Sequence, residues 1–176
     1  MSDEMIVLYL ESSGQILGAL SNAAPPSKEP TVADVAGEAF VYRDSRDEPE
    51  VLIPAPELAV ATVERDQGVL TDPHGYRYAD GELVVLQGRV EALATGAGGV
   101  TVEVDTEPEK LADPPTEPPQ VWVLARTGAT GEPQVSTATI ALDQKSSTPI
   151  QPPLGGGSYD LVVLAVGYRP AVTTFP

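Results

Sequence analysis

The sequence predicts an all-β protein made of two small antiparallel β modules, and three observations lead there. Proline and glycine number 18 and 16 among 176 residues. Prolines scattered at that density exclude long helices, because each removes a backbone donor and clashes inside a helix. Turn signals recur roughly every 8 to 12 residues, the spacing of sandwiches and barrels. Between the turns lie short apolar runs: Leu, Ile, Val and Phe total 44 residues, enough to build a core.

The elements follow in order. Residues 5–20 (MIVLYLESSGQILGAL) read as two apolar strands around the turn Glu11-Ser12-Ser13-Gly14, with Gly14 supplying the positive φ of a tight hairpin. SNAAPPSKEP is a loop by composition, and TVADVA (31–36) is a helical turn capped by Thr31. EAFVYR (38–43) reads as a strand, DSRDEPE as a charged loop, 51–53 as a short extended piece and ELAVATVER (57–65) as a half-buried strand. The stretch GVLTDPHGYRYADGELVVLQGRV has the punctuation of a meander. Asp72-Pro73-His74-Gly75 makes one turn, and Ala79-Asp80-Gly81-Glu82 makes a hairpin between YRY and LVVL. Further strands are expected at 98–105, 121–126, 135–142 and after Tyr159. The domains are expected at 1–87, a meander and hairpin module, and 88–176, a sandwich. Residues 105–119, with five prolines and five acids, form a loop inside the second, because the strands that follow need the earlier one as a partner.

Charge and composition narrow the function. Twenty-six Asp and Glu stand against ten Lys and Arg, a formal −16. Such a surface repels a phosphate backbone and an anionic membrane, so no nucleic acid and no membrane insertion are expected, while a basic protein partner suits it. No cysteine is present, which excludes disulfides and thiolate chemistry. The start, MSDEMIVLYLESSG, carries acids where a secretory signal carries Lys or Arg, and its apolar run (5–10) is too short for a signal core or a span. A cytoplasmic location is expected. Three lysines against seven arginines, with abundant Ala, Gly, Val and Pro, would fit a GC-rich bacterial genome.

The triplet Gly155, Gly156 and Gly157 invites a phosphate-binding reading, but SYDLVVLAV after it is a strand, with no helix N-terminus and no lysine. The glycines serve a bend. Leu154-Gly155-Gly156-Gly157-Ser158-Tyr159-Asp160-Leu161, the run 162–166 and Gly167-Tyr168-Arg169-Pro170 together resemble the closing segment of carboxypeptidase-regulatory-like (transthyretin-like) β-sandwich modules. Upstream, Gly88-Arg89-Val90 and Thr95-Gly96-Ala97-Gly98-Gly99-Val100-Thr101-Val102 resemble that module's opening strands. The resemblance covers 87–173; it departs at TGATGEPQV (127–135), which lacks the module's aromatic, and at the acidic insertion. It implies an Ig-like/transthyretin-like sandwich for the second module, a scaffold without catalytic residues. The opening IVLYLESSGQILGAL loosely resembles accessory proteins of phage-tail-like contractile injection systems.

The residues able to carry chemistry do not converge in the sequence. His74 is the single histidine and offers neither a triad nor a metal cluster. Asp44, Asp47, Glu48 and Glu50 are oxygen donors of the kind calcium takes, without the spacing of an EF-hand loop. No two carboxylates are marked out for glycoside hydrolysis. Ser12, Ser13, Ser136 and Ser158 lack a nucleophile-elbow pattern, and Trp122 in a strand points to core or interface packing. No catalytic, cofactor-binding or metal residue is therefore assigned, no cofactor is expected, and the chain is expected not to be an enzyme. The expected role is a structural or assembly component of a larger particle, bound to other protein subunits, with AVTTFP (171–176) as docking strand. The alternative is a protein-binding, less readily carbohydrate-binding, adaptor module.

Overall fold

The computed structural model describes residues 4–21, 29–42, 51–96, 99–127, 134–150 and 159–175. The all-β class holds: strands dominate, with two five-residue α-helices and three 3-10 turns among the described residues. None of these helices is long and apolar enough to cross a membrane. The chain divides into two compact units, one formed by Met1–Tyr42 with Leu52–Val85 and one carrying Leu86–Pro176.

In chain order the first unit contains β1 (Glu4–Leu10), β2 (Ile16–Ser21), α1 (Val32–Ala36), β3 (Ala39–Tyr42), β4 (Val51–Pro54), β5 (Leu58–Glu64), α2 (Gln67–Thr71), β6 (Tyr76–Ala79) and β7 (Glu82–Val85). Its main sheet has the order β2-β1-β5, and β3-β4 and β6-β7 are two-stranded ribbons. β1 lacks polar alternation because both its faces are covered. Met5 and Val7 cluster with Ile16 and Val69, with Tyr76, Tyr78 and Leu83 packed around them, while Leu8 and Leu10 are buried on the opposite face.

Turn chemistry explains much of the local structure. Asp80 (φ 52°) and Gly81 (φ 90°) form a two-residue turn with both residues in the left-handed region, the geometry that matches strand twist in a hairpin. Around α1, the Asp34 N–H donates to Thr31 Oγ1 and the Thr31 N–H donates to Asp34 Oδ2, a reciprocal cap. α2 was not expected from the sequence. Asp66 Oδ1 accepts from the N–H groups of Gly68 (2.6 Å) and Val69 (3.3 Å), and the single turn places Val69 in the core.

Gly14 fixes the β1–β2 hairpin against β6. Its φ is +71°, its carbonyl accepts from the Tyr78 N–H at 2.7 Å, and a Cβ there would lie 2.1 Å from the Tyr78 carbonyl oxygen. Next to it Gln15 is buried, and its Nε2 donates within 3.1–3.2 Å to the carbonyls of Ile16, His74 and Tyr76.

The second unit contains β8 (Gly88–Gly96), β9 (Gly99–Val104), β10 (Gln120–Thr127), β11 (Gln134–Thr139), β12 (Tyr159–Ala165), β13 (Tyr168–Arg169) and β14 (Ala171–Phe175). Sheets of order β11-β10-β12-β14 and β13-β8-β9 share one core, so this unit is a β-sandwich. Val90, Val102 and Val104 of one sheet meet Val121, Val123, Leu161 and Val163 of the other. The remaining side chains of the central strands, Trp122, Leu124, Val162 and Leu164, are buried as well, which is why VWVLA and LVVLA read as unbroken apolar runs.

Tyr168 sits where these parts meet. Its ring is fully buried, packs on Gly88 of β8, and its hydroxyl donates to the Thr106 carbonyl at 2.8 Å. Burial, with Asp105 and Glu107 nearby, pushes the phenol well above its ordinary range, so it stays a donor. The bond ties down the acidic stretch 105–119, which joins β9 to β10 within one unit. Ala112 N–H donates to Gln87 Oε1, Glu109 N–H donates to the Leu142 carbonyl, Ile140 N–H donates to the Pro119 carbonyl, and Leu111 packs on the core. Along it Glu107 pairs with Lys110, which lowers the carboxyl and raises the amine from their ordinary values.

Two departures concern the C-terminal strands. β13 pairs with β8 in parallel, against an otherwise antiparallel pattern, because the turn at Gly167 (φ +89°) returns the chain beside the start of β8. β14 is not a loose docking strand: it pairs in register with β12 through five residue pairs, and Val172 is buried opposite Val162. Removing 171–175 therefore removes an edge of the sandwich, and Pro176 lies outside the described residues.

These contacts set expected stabilities, measured by urea unfolding of the purified chain. Gly14→Ala combines a disfavoured left-handed φ with a backbone clash and should cost about 3 kcal/mol or more. Tyr168→Phe keeps the ring but deprives the Thr106 carbonyl of its donor, and should cost about 1–2 kcal/mol. Gly88→Ala, whose Cβ would meet the Tyr168 ring at 2.4 Å, should cost more than Tyr168→Phe; the reverse order would contradict the packing described.

Candidate functional site

The residues singled out in the sequence have structural placements. His74 lies in a 3-10 turn (Pro73–Gly75), its ring 4.7 Å from that of Tyr42 and its Nε2 3.2 Å from the Leu17 carbonyl, so the Nε2-protonated tautomer donates there. Its own carbonyl accepts from Gln15. Ser13 Oγ accepts from the Gln15 N–H within the hairpin turn. Trp122 is buried on β10, between Thr137 of β11 and Leu164 of β12. Asp44, Asp47, Glu48, Glu50, Ser158 and the glycines 155–157 lie outside the described residues. Among the described residues no group of three or more His, Asp or Glu is placed to hold a metal ion.

An apolar pocket of about 260 Å³ lies in the first unit, lined by Leu8, Gly18, Ala19, Leu20, Val35 and Phe40. Its lining has no ionisable side chain, so it offers volume without groups that would orient a polar ligand.

The sheet edges are the other feature, and hydrogen-bond parity shows which backbone groups point where. In an antiparallel pair, alternate residues direct both N–H and C=O toward the neighbour and the residues between direct them away. Glu11 N–H donates to the Glu57 carbonyl, in register with the β1–β5 pairing. Ala59, Ala61 and Val63 therefore face β1, while Val60, Thr62 and Glu64 turn their backbone groups outward. Leu58 also points outward, but its N–H is taken by the Ala55 carbonyl. The same logic applies to β11. Ile140 N–H donates to the Pro119 carbonyl, in register with β10, so Val135, Thr137 and Thr139 point away. Thr139 is satisfied by Thr148, whose N–H donates to its carbonyl at 2.8 Å. Val135 and Thr137 remain outward, and the Val135 side chain is 48% exposed.

β9 is treated differently. Its outer edge is covered by the chain's own segment 145–150: Ile150 exchanges backbone bonds with Val100, Ser147 N–H donates to the Val102 carbonyl, and Val104 N–H donates to the Lys145 carbonyl. Ser147 is buried and its Oγ accepts from the Val102 N–H, a role that no sequence signal announced. β5 and β11, by contrast, carry no Pro, Lys or bulge within their outward stretch.

No protein-family model, curated protein or solved structure matches the chain.

Amide hydrogen exchange followed by NMR checks the edge assignment directly. Ala59, Ala61 and Val63 should exchange slowly and Val60 and Thr62 fast; uniform protection along β5 would mean that its outer edge is covered.

Proposed function

We propose that this chain is a non-catalytic structural or assembly component of a larger cytoplasmic protein particle, joined to neighbouring subunits by β-strand addition. The observation that carries this reading is the unequal treatment of sheet edges. The fold covers β9 with its own residues 145–150 and leaves backbone groups at Val60 and Thr62 of β5 and Val135 and Thr137 of β11 directed outward, on strands without Pro, Lys or a bulge. An outward edge is a template that gives affinity through main-chain hydrogen bonds, and alternate side chains on the added strand give specificity. The loose resemblance of the opening hairpin to accessory proteins of phage-tail-like contractile injection systems makes that class of particle the first to test.

The net charge of −16 favours a second reading, an adaptor that binds a basic protein outside any particle. Sedimentation of native lysate, probed for this chain, separates the two. Pelleting with megadalton particles is expected if it is an assembly component. Migration at monomer size would sink that reading and leave the adaptor.

A further inference from the structure

β5 presents Val60, Thr62 and Glu64 as three successive outward positions; the turn Ala55–Glu57 precedes it at its Leu58 end, and α1 lies against the strand. Its surroundings narrow what can join it. Carboxylates stand at both ends: Glu57 is opposite Glu11, and Glu64 is the direct cross-strand partner of Glu4. Like charges placed opposite one another across strands are unfavourable. Arg65 is the base adjacent in sequence, and the first unit as a whole holds twelve Asp and Glu against three Lys and Arg. A second copy of the chain would bring another unit of the same sign against this edge. A cationic strand would not meet that repulsion.

The side-chain pattern adds to this. Val60 and Thr62 lie opposite Leu8 and Ile6, and Ile6 lies opposite Leu20, which is 49% exposed. An apolar residue set beside Thr62 would extend the row Leu20–Ile6–Thr62 across a fourth strand.

We propose that the outer edge of β5 is the docking site for an extended segment of a basic partner protein, β-branched and uncharged in its middle with Lys or Arg near its ends. This names the partner class for the assembly reading and rests on it. Glu57 and Glu64 are seven residues apart, so the cationic ends should be spaced by about 23 Å of extended chain.

The probe is a fluorescein-labelled peptide, Lys-Thr-Val-Thr-Val-Thr-Val-Lys, whose lysines are seven residues apart, titrated with the full chain and followed by anisotropy, beside its Glu-ended counterpart. Thr62→Pro removes an outward N–H that no bond of the sheet uses, so the strand should persist. Saturable binding of the Lys-ended peptide is expected, weakened about tenfold or more by Thr62→Pro and by the pair Glu57→Lys and Glu64→Lys. The Glu-ended peptide should bind correspondingly less, and the Val60, Thr62 and Glu64 amides should gain exchange protection in the complex. Absence of saturable binding overturns the proposal, as does equal binding by a Thr62→Pro chain that melts like the wild type. If Thr62→Pro does not fold, the charge-reversed pair and the exchange data decide. Sedimentation of Thr62→Pro separates this inference from the reading beneath it. A particle that still takes up the variant overturns the β5 site and leaves assembly standing. A wild-type chain that enters no particle removes the assembly reading, and the peptide titration then decides the edge alone.

Discussion

The second unit depends on the placement of one buried tyrosine. Burying a large side chain such as Tyr168 contributes about 2–3 kcal/mol, against about 1 kcal/mol net for its hydroxyl bond. The ring therefore decides where Tyr168 sits, and Gly88 is the residue that lets it sit there. The hydroxyl decides something else. It reaches the Thr106 carbonyl and so fixes the first residues of a proline-rich acidic loop that has little apolar surface of its own to bury. Pro108 and Leu111 then have a place to pack, and the loop closes over the core as part of the unit.

The first unit solves a similar problem with a polar side chain. Where the β1–β2 hairpin meets β6, backbone carbonyls of Ile16, His74 and Tyr76 converge on a buried position. Each would be costly without a donor. The Gln15 amide carries two hydrogens for three carbonyls, so at least one hydrogen is shared, and the turn is held in a single arrangement. Gly14 permits the approach because any larger residue would collide with Tyr78. In both units, then, a glycine admits a close contact and one polar side chain satisfies the backbone that the contact buries.

Outward-facing strands normally invite self-association, and proteins guard them with lysines, prolines or bulges. This chain leaves β5 and β11 without those guards and carries a net charge of −16. Long-range repulsion keeps like copies apart without closing the edges to a partner of opposite sign. The acidic composition, which by itself says only that the protein is well solvated, thereby acquires a specific physical use in the proposed assembly role. Short-range protection is most extensive along β9, where the chain supplies its own strand-like cover, and reaches only Thr139 of β11 and Leu58 of β5 on the other two edges.

Local rules in the sequence determined the all-β class, the hairpin around Gly14, the two-residue turn at Asp80 and Gly81, the capped turn at Thr31 and the placement of most strands. Each follows from interactions within a few residues: a required φ, a capping side chain, an apolar run between turns. The expected change of module at 87/88 compares with a division between Val85 and Leu86. Other features were illegible because they are set by residues far apart in the chain. α2 is one helical turn held by Asp66 and by the burial of Val69, too short to leave a periodic signal. AVTTF looked free in sequence because its partner, β12, is recognised only by register, and β13 runs parallel only because Gly167 and Tyr168 return the chain to Gly88. Which backbone groups face outward is likewise absent from the sequence pattern, since side-chain alternation says which face a residue takes and not which neighbour its N–H meets. Pairing alone decides that, and pairing is a property of the folded chain.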